Sequence, residues 1–381
     1  RVTNLDSKGN GSLRAALWKD EPRIIVFEVG GVIDLERKAL NVSDPYVVIA
    51  GQTAPEPGIT LIRGGLFIQT HHVEVRHLKI RPGDDHEPKG SGWEPDGLCV
   101  YTSEGHDVLV DHCSMTWSVD EGMSVSGDRT GPEDTAHRIV ISNNIIAEGL
   151  HDSSHAKGPH SKGSLVHDFC QDIVIARNLY ANNYRRNPYF KAHAEGVVLN
   201  NVIYNPGSAA IQLGFDTKDW RNSEIMPINP KVTIVGNILK HGPDTRESTP
   251  LAKSQGDVYL ADNLAFDREG AEQSLTGGTL NLLEEKPVWM KEEGALAPMP
   301  VAETLEHVLA NAGARPRFRD PIDQRIVDGV KSGEGRILNS QVEVGDYPQQ
   351  EVTKRELEVP DGSIAELAAW LRKMAAEVEL P

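Results

Sequence analysis

The chain has 381 residues, a formal net charge of -17, 39% hydrophobic residues and 35 glycines, a balance that suits many short strands joined by turns better than long helices. It holds no run of about 18 apolar residues, which excludes a membrane-spanning helix, and its first residues do not read as a signal peptide. Acidity excludes nucleic acid as a partner, and any polyanionic substrate would have to be met by a local basic cleft or bridging cations.

The opening residues predict a strand start, a turn at Lys8–Gly11 and a short helix capped by Ser12, with Leu13, Ala16 and Leu17 on its apolar face. Short apolar runs follow at Ile24–Phe27, Val47–Ala50, Ile59–Ile62, Val73–Val75 and Leu78–Ile80, each bounded by turn-forming residues. Cys99, Cys113 and Cys170 lie in apolar stretches and are expected to be buried thiols, because three cysteines in so long a chain make no disulfide framework.

From about residue 141 an apolar residue recurs three positions before an asparagine, at Asn144, Asn178, Asn201 and Asn237 and more weakly at Asn263, with spacings of 23 to 36 residues. Irregular repeats of this length predict a solenoid, and strand-only repeats favour a parallel β-helix. The asparagines are assigned a structural role, as residues that tolerate a left-handed bend and bond along a ladder. In such a coil all loops from one bend share a side, so residues far apart in sequence can line one groove. After about Glu269 the rhythm fades. Ala302–Ala312, Pro321–Val330 and Asp361–Glu379 predict helices, the last with Ile364, Leu367, Leu371 and Met374 on one side, in a tail (271–381) that wraps a β-helix domain of residues 1–270 and covers its open edge.

Four groups carry potential chemistry. Glu94-Pro-Asp96, Asp111-His112 and Asp120-Glu121-Gly122 come first. Residues 149–165 and 184–191 then concentrate His151, His155, His160, Lys157, Lys162, Arg185, Arg186 and Lys191. Glu94, Asp96, Asp120 and Glu121 offer the oxygen ligands that Ca²⁺ requires. His151 and His155 are four apart, as in a helical zinc pair, but Gly, Pro and Ser around them read as loop, which favours histidines that face substrate or hydrogen-bond. Trp93, Tyr184, Tyr189, Phe215 and Trp220 are candidates for sugar stacking, whereas Trp117 is assigned to the core.

Asp111-His-Cys-Ser114, Asp120-Glu-Gly122, His160-Ser-Lys-Gly-Ser-Leu165, Asn178-Leu-Tyr-Ala-Asn-Asn183, Arg186-Asn-Pro-Tyr-Phe-Lys191 and Asn200-Asn-Val-Ile-Tyr-Asn205 together resemble the pectate lyase family of polysaccharide lyases. The tail segments Asn311–Pro316 and Val344–Pro348 are similar to the end of a bacterial branch of that family. The resemblance implies an all-β fold, a right-handed parallel β-helix with a short N-terminal capping helix and a partly helical wrapping tail. It also implies an exported, secreted or periplasmic enzyme, expected as a monomer, that cleaves a uronate polysaccharide by β-elimination, polygalacturonate first among the candidates. By position, Arg186 matches the family's catalytic base, Lys162 and Lys191 its substrate-gripping cations, and Glu94 and Asp96 its paired Ca²⁺ acids. Tyr184, Arg185, His112, His151 and His155 are expected to contact substrate.

Three departures stand out. Lys191 replaces an arginine and so gives up bidentate carboxylate recognition. Of the family's further pair of calcium acids, four apart, Asp120 and Glu121 offer one side, while Ser124 and Val125 occupy the other. The histidines at 151–160 are additions that point to a different uronate. Arginine is ordinarily protonated, so Arg186 as base relies on its cationic neighbours, and His160 is the second candidate. A glycoside hydrolase built on Asp96, Asp111 and Asp120, or a non-catalytic carbohydrate-binding solenoid, are the alternatives.

Overall fold

The computed structural model describes residues 1–291 and 294–379. The chain winds as a right-handed parallel β-helix whose three faces are each a ladder of short strands. One ladder starts at Arg23–Val26 and a second at Leu40–Val42, and both run into the ten-residue strand Ala252–Ala261. The third runs from Val29–Asp34 to Leu264–Phe266. Each strand is too short to bury a face alone, so the core is made by stacking. Ile33, Leu61, Ile80, Met115, Ile146, Tyr180, Ile203 and Leu239 pair in register down the third ladder. All are at most 1% exposed, and burying each aliphatic member stabilises the coil by about 1.5–3 kcal/mol.

The asparagine repeat is a continuous hydrogen-bonded ladder. The amides of Asn144, Asn178, Asn201 and Asn237 each donate to the side-chain oxygen of the next, ending on Asn263, at 2.9–3.1 Å. That oxygen also accepts from the backbone N–H of the asparagine before it, so a buried bend is satisfied without water. The left-handed bend itself falls one residue earlier, at Asn143, Arg177, Asn200, Gly236 and Asp262. Hydrogen bonding, not tolerance of positive φ, therefore selects asparagine here.

Ser12 caps α1 (Leu13–Leu17) through Ala15 N, and Leu13 and Leu17 close the end of the core. All three cysteines are buried and free. The coil extends past the expected boundary at 270, because Thr276–Leu282 pairs in parallel with Ala252–Val258. The tail then supplies α2 (Val301–Asn311), α3 (Pro321–Ser332) and α4 (Ile364–Val378). Val308, Leu309, Ile326, Val327 and Val330 pack on Trp117, Ile145 and Leu179 at the outside of the third ladder. Thr353–Lys354 adds an antiparallel strand to Val29–Gly30 and covers that edge. Ile364 is 86% exposed, contrary to its expected inward position. Helix α4 buries Met374, Ala375 and Val378 in its last turns, and Trp370 and Leu371 pack with Ile24, Val26, Val48 and Ala50 of the coil.

Candidate active site

On the second ladder Glu121 pairs with Lys162, and Lys162 is bridged to Arg185 one coil further on. Asp96 completes this column on the other side, where its Oδ1 accepts the backbone N–H of Glu121 at 2.9 Å. Acids thus occupy two successive coils and bases the next two. Behind them run Gly97, Gly122 and Gly163. A Cβ on Gly97 would come within 2.4 Å of the Gly122 carbonyl, and one on Gly163 within 2.6 Å of the Arg186 carbonyl. The glycines let neighbouring coils approach, which brings the charged side chains in front of them close together.

One ligand oxygen from each of Asp96, Asp120 and Glu121 lies within 4.8 Å of the others. Burial, then Glu121 and Asp120, push the Asp96 carboxyl well up, and burial likewise raises Glu121. Asp120 is held low: burial opposes its charge, but Lys162 Nζ at 2.8 Å outweighs it. Crowded, part-desolvated carboxylates of this kind attract a hard cation, and the three offer up to six oxygens, which fits Ca²⁺. Glu94 does not join them. It meets His155 Nε2 at 2.9 Å, and that nitrogen also lies 3.5 Å from Asp120.

The bases are mostly engaged already. Lys162 contacts Asp120 and lies 3.6 Å from Glu121, and burial lowers its pKa. Arg186, in a left-handed conformation, pairs with Glu121 and lies over the Tyr189 ring at 5.5 Å. Lys191 stands apart, 3.3 Å from both Asp168 and Asp219, with Arg129 on the same two carboxylates. Arg185 differs. Among the described residues its guanidinium has neither a carboxylate nor a hydrogen-bond partner, and its pKa is lowered by burial and then by Arg186.

The loop histidines divide. His155 and His160 stack on each other, and a nitrogen of each converges with Asp120, so the pair that meets is 155/160, while 151 and 155, four apart on a loop, form no pair. His155 is 1% exposed; its Nδ1 accepts from Lys157 N, and its Nε2 lies near Glu94 and Asp120 without a well-formed hydrogen bond, so the ring sits among acids and presents no face to a groove. His160 donates Nδ1–H to the Gly158 carbonyl, and burial followed by Lys162 lowers its pKa to about 4. His151 instead stacks on Tyr184 at 4.4 Å, and the Tyr184 hydroxyl accepts from Arg246. That platform is half open to solvent. Trp220 is buried against Phe169 and offers no free stacking face. Trp117 is core, as expected, and donates to Glu148.

His112 and Asp111 are not brought to this site. Asp111 is buried among Arg76, His112, Ser142 and Asn143, so it provides no carboxylate for the hydrolase alternative. Sequence reasoning missed Asp168, Asp219 and Arg129, the seat of Lys191. They are 51 and 39 residues apart from one another along the chain in loops without a recurring pattern, and only the coil brings them together.

No family model matches the sequence. The probable pectate lyase C of Aspergillus flavus is 30% identical over 356 residues, covering 90% of this chain and 75% of the relative. The corresponding protein of Aspergillus fumigatus is 31% identical over 358 residues with the same coverage. Among solved structures, jun a 1, the major allergen from cedar pollen, superposes with a TM-score of 0.56 at 17% identity, covering 82% of this chain and 87% of that one. The fold is thus shared with that allergen, and identity sustained across nine-tenths of the chain places it by sequence: the protein belongs to the pectate lyase family.

Proposed function

We propose that the protein cleaves pectate by β-elimination at the Asp96–Glu121–Lys162–Arg185 column, with Arg186 as base. The observation that carries this reading is the register of that column, which sets two acids and two bases on four neighbouring coils. A uronate C5 proton is weakly acidic, so elimination needs a base at C5 and positive charge on the adjacent carboxylate. Arg185, unpaired, receives that carboxylate, and Lys162 supports it from the next coil. Arg186 takes the C5 proton in its neutral form, which it reaches once Glu121 turns from it and Lys162 and Arg185 crowd its charge; the electron pair of the C–H bond forms the C4–C5 double bond, the C4–O4 bond breaks with its pair going to O4, and water protonates that oxygen. His160 is neutral at pH 7 but a weak base, so it serves as a hydrogen-bonding neighbour. His151 and Tyr184 form a stacking platform for a flanking sugar, and His155 holds Glu94 and Asp120 in place. Lys191, fixed by Asp168 and Asp219, contacts substrate further along the groove.

Asp96, Asp120 and Glu121 would hold Ca²⁺, whose bound charge would stabilise the enolate-like carboxylate. Secretion and a monomeric state accompany this reading.

Incubation with polygalacturonate, alginate, glucuronan and ulvan, followed by absorbance of the unsaturated product, tests the activity. Product from polygalacturonate is expected; reducing ends without absorbance would replace elimination with hydrolysis. Removing divalent ions with a chelator is expected to suppress the rate, and Asp96→Asn to raise the Ca²⁺ needed for half-maximal activity; equal Ca²⁺ requirement in both proteins would remove Asp96 from the ion site. Arg185→Ala is expected to lower kcat/KM on the order of 10- to 100-fold, with kcat falling as well as KM rising, because the contact strengthens as charge develops on the carboxylate. An unchanged kcat/KM would show that Arg185 does not meet the substrate.

A further inference from the structure

The tail closes on two histidines that the proposed reaction does not use. His77 is fully buried, His112 nearly so, and their rings stack 5.3 Å apart at 14°. Glu379, at the C-cap of α4, brings its carboxylate to them: Oε1 lies 3.1 Å from His77 Nε2 and 3.7 Å from His112 Nδ1, and Asp111 Oδ2 stands 2.9 Å from that same His112 nitrogen. One ligand atom from each of the three lies within 4.8 Å of the others.

The hydrogen bonding around His77 leaves this contact unresolved. A backbone carbonyl only accepts, so the 2.8 Å contact to the Ala314 oxygen requires His77 Nδ1 to carry a proton. In a neutral imidazole Nε2 then bears a lone pair. A nitrogen lone pair therefore faces a carboxylate oxygen at 3.1 Å. Both atoms are buried, and neither has a hydrogen-bond partner of acceptable geometry among the described residues. An acceptor opposed to an acceptor inside a protein is costly unless a positive charge lies between them. Arg76 is shared between Asp111, at 2.8 Å, and Glu74, and among the described residues no ion pair joins Glu379 to a lysine or an arginine.

We propose that His77, His112 and Glu379 bind a transition-metal ion of the Zn²⁺ class, which fastens the C-terminal end of the chain to the coil. Two imidazoles and one carboxylate form the donor set that Zn²⁺ takes, while Ca²⁺ prefers oxygens alone. With metal–ligand bonds of about 2.0–2.1 Å, a nitrogen and an oxygen on one ion stand roughly 3.0–3.4 Å apart at angles between about 95° and tetrahedral, which matches the 3.1 Å contact. The carbonyl bond from Ala314 orients His77 as metal-bound imidazoles are commonly oriented. Glu379 keeps 26% side-chain exposure, which gives the ion a way in.

The test is a titration of the chelator-treated full-length protein with ZnCl₂, by calorimetry and by hydrogen exchange of residues 364–379. Wild type is expected to bind one more Zn²⁺ equivalent than Glu379→Gln or His77→Ala, and exchange of α4 is expected to slow at least 10-fold on adding Zn²⁺ but not CaCl₂. Glu379→Gln changes a partly exposed residue at a helix end, so it tests the site even if His77→Ala does not fold. Counting the difference between proteins also separates this site from zinc taken up elsewhere, for example at His71, His72 and His106. Equal zinc stoichiometry in wild type and Glu379→Gln, or unaltered exchange of α4 in the zinc-loaded wild type, would overturn the proposal.

Discussion

Arg186→Ala is expected to lower kcat on polygalacturonate by roughly 10²- to 10⁴-fold, the range for loss of a positioned proton-transfer group, with the fold intact. The side chain is 18% exposed and lies at the front of the column, so its removal opens no core cavity. A second consequence follows from its partner. Glu121 is already pushed up by burial, and Arg186 is the main influence that opposes this; without the guanidinium, Glu121 should take up a proton more readily and the rate should depend on pH where it previously did not. Arg186→Lys separates the two roles. A lysine restores the charge beside Glu121, and its lower intrinsic pKa moves the ascending limb of the pH–rate profile to lower pH if the residue is the base. If Arg186→Lys keeps full activity with the wild-type profile, Arg186 is a charge partner only, and the base must be sought elsewhere.

The column was partly legible in the sequence. Asp96-Gly97, Glu121-Gly122 and Lys162-Gly163 are three charged residues each followed by glycine, and this repeat marks the register that the coil enforces. The asparagine spacing marked the coil itself, because a ladder amide must recur at the same bend. Pairing was not legible. Glu94 reads as a calcium acid by its spacing from Asp96, yet the loop returns His155 to it, and no local pattern records that a residue 61 positions on will arrive there. His112 misled for the same reason: its neighbour Asp111 suggested chemistry at the groove, while the ring is buried beside Asp111 and stacked on His77, with Glu379 arriving from the far end of the chain. Helical periodicity placed α2, α3 and α4 but not their partners, so the ion pairs that attach the tail were unforeseen.

The most consequential of those pairs is at Arg81, and Arg81→Met is expected to destabilise the attachment of the tail by about 3–5 kcal/mol, the cost of leaving a buried charge without its partner. Arg81 is completely buried and donates to both oxygens of Asp320, at 2.8 and 3.0 Å, and to Asp323 at 2.8 Å. Lys79 adds a contact to Asp320 at 3.2 Å, and Ser114 donates to Asp323 at 2.6 Å. Burial opposes the charge of both acids. Arg81 and then Lys79 hold Asp320 low in spite of it, whereas Asp323, beside Asp320, is pushed up. Asp320 is also the N-cap of α3, accepting from Ile322 N and Asp323 N, so the same carboxylate starts the helix and ties it to the coil. Methionine fills much of the arginine's volume, which isolates the lost charge from a cavity effect. Adding Asp323→Asn to Arg81→Met should recover part of the loss, since a neutral side chain no longer demands the guanidinium. Hydrogen exchange of residues 321–332 measures the local opening directly. Wild-type protection of α3 in Arg81→Met would show that the apolar contacts of Ile322, Ile326, Val327 and Val330 hold the tail without the ion pairs.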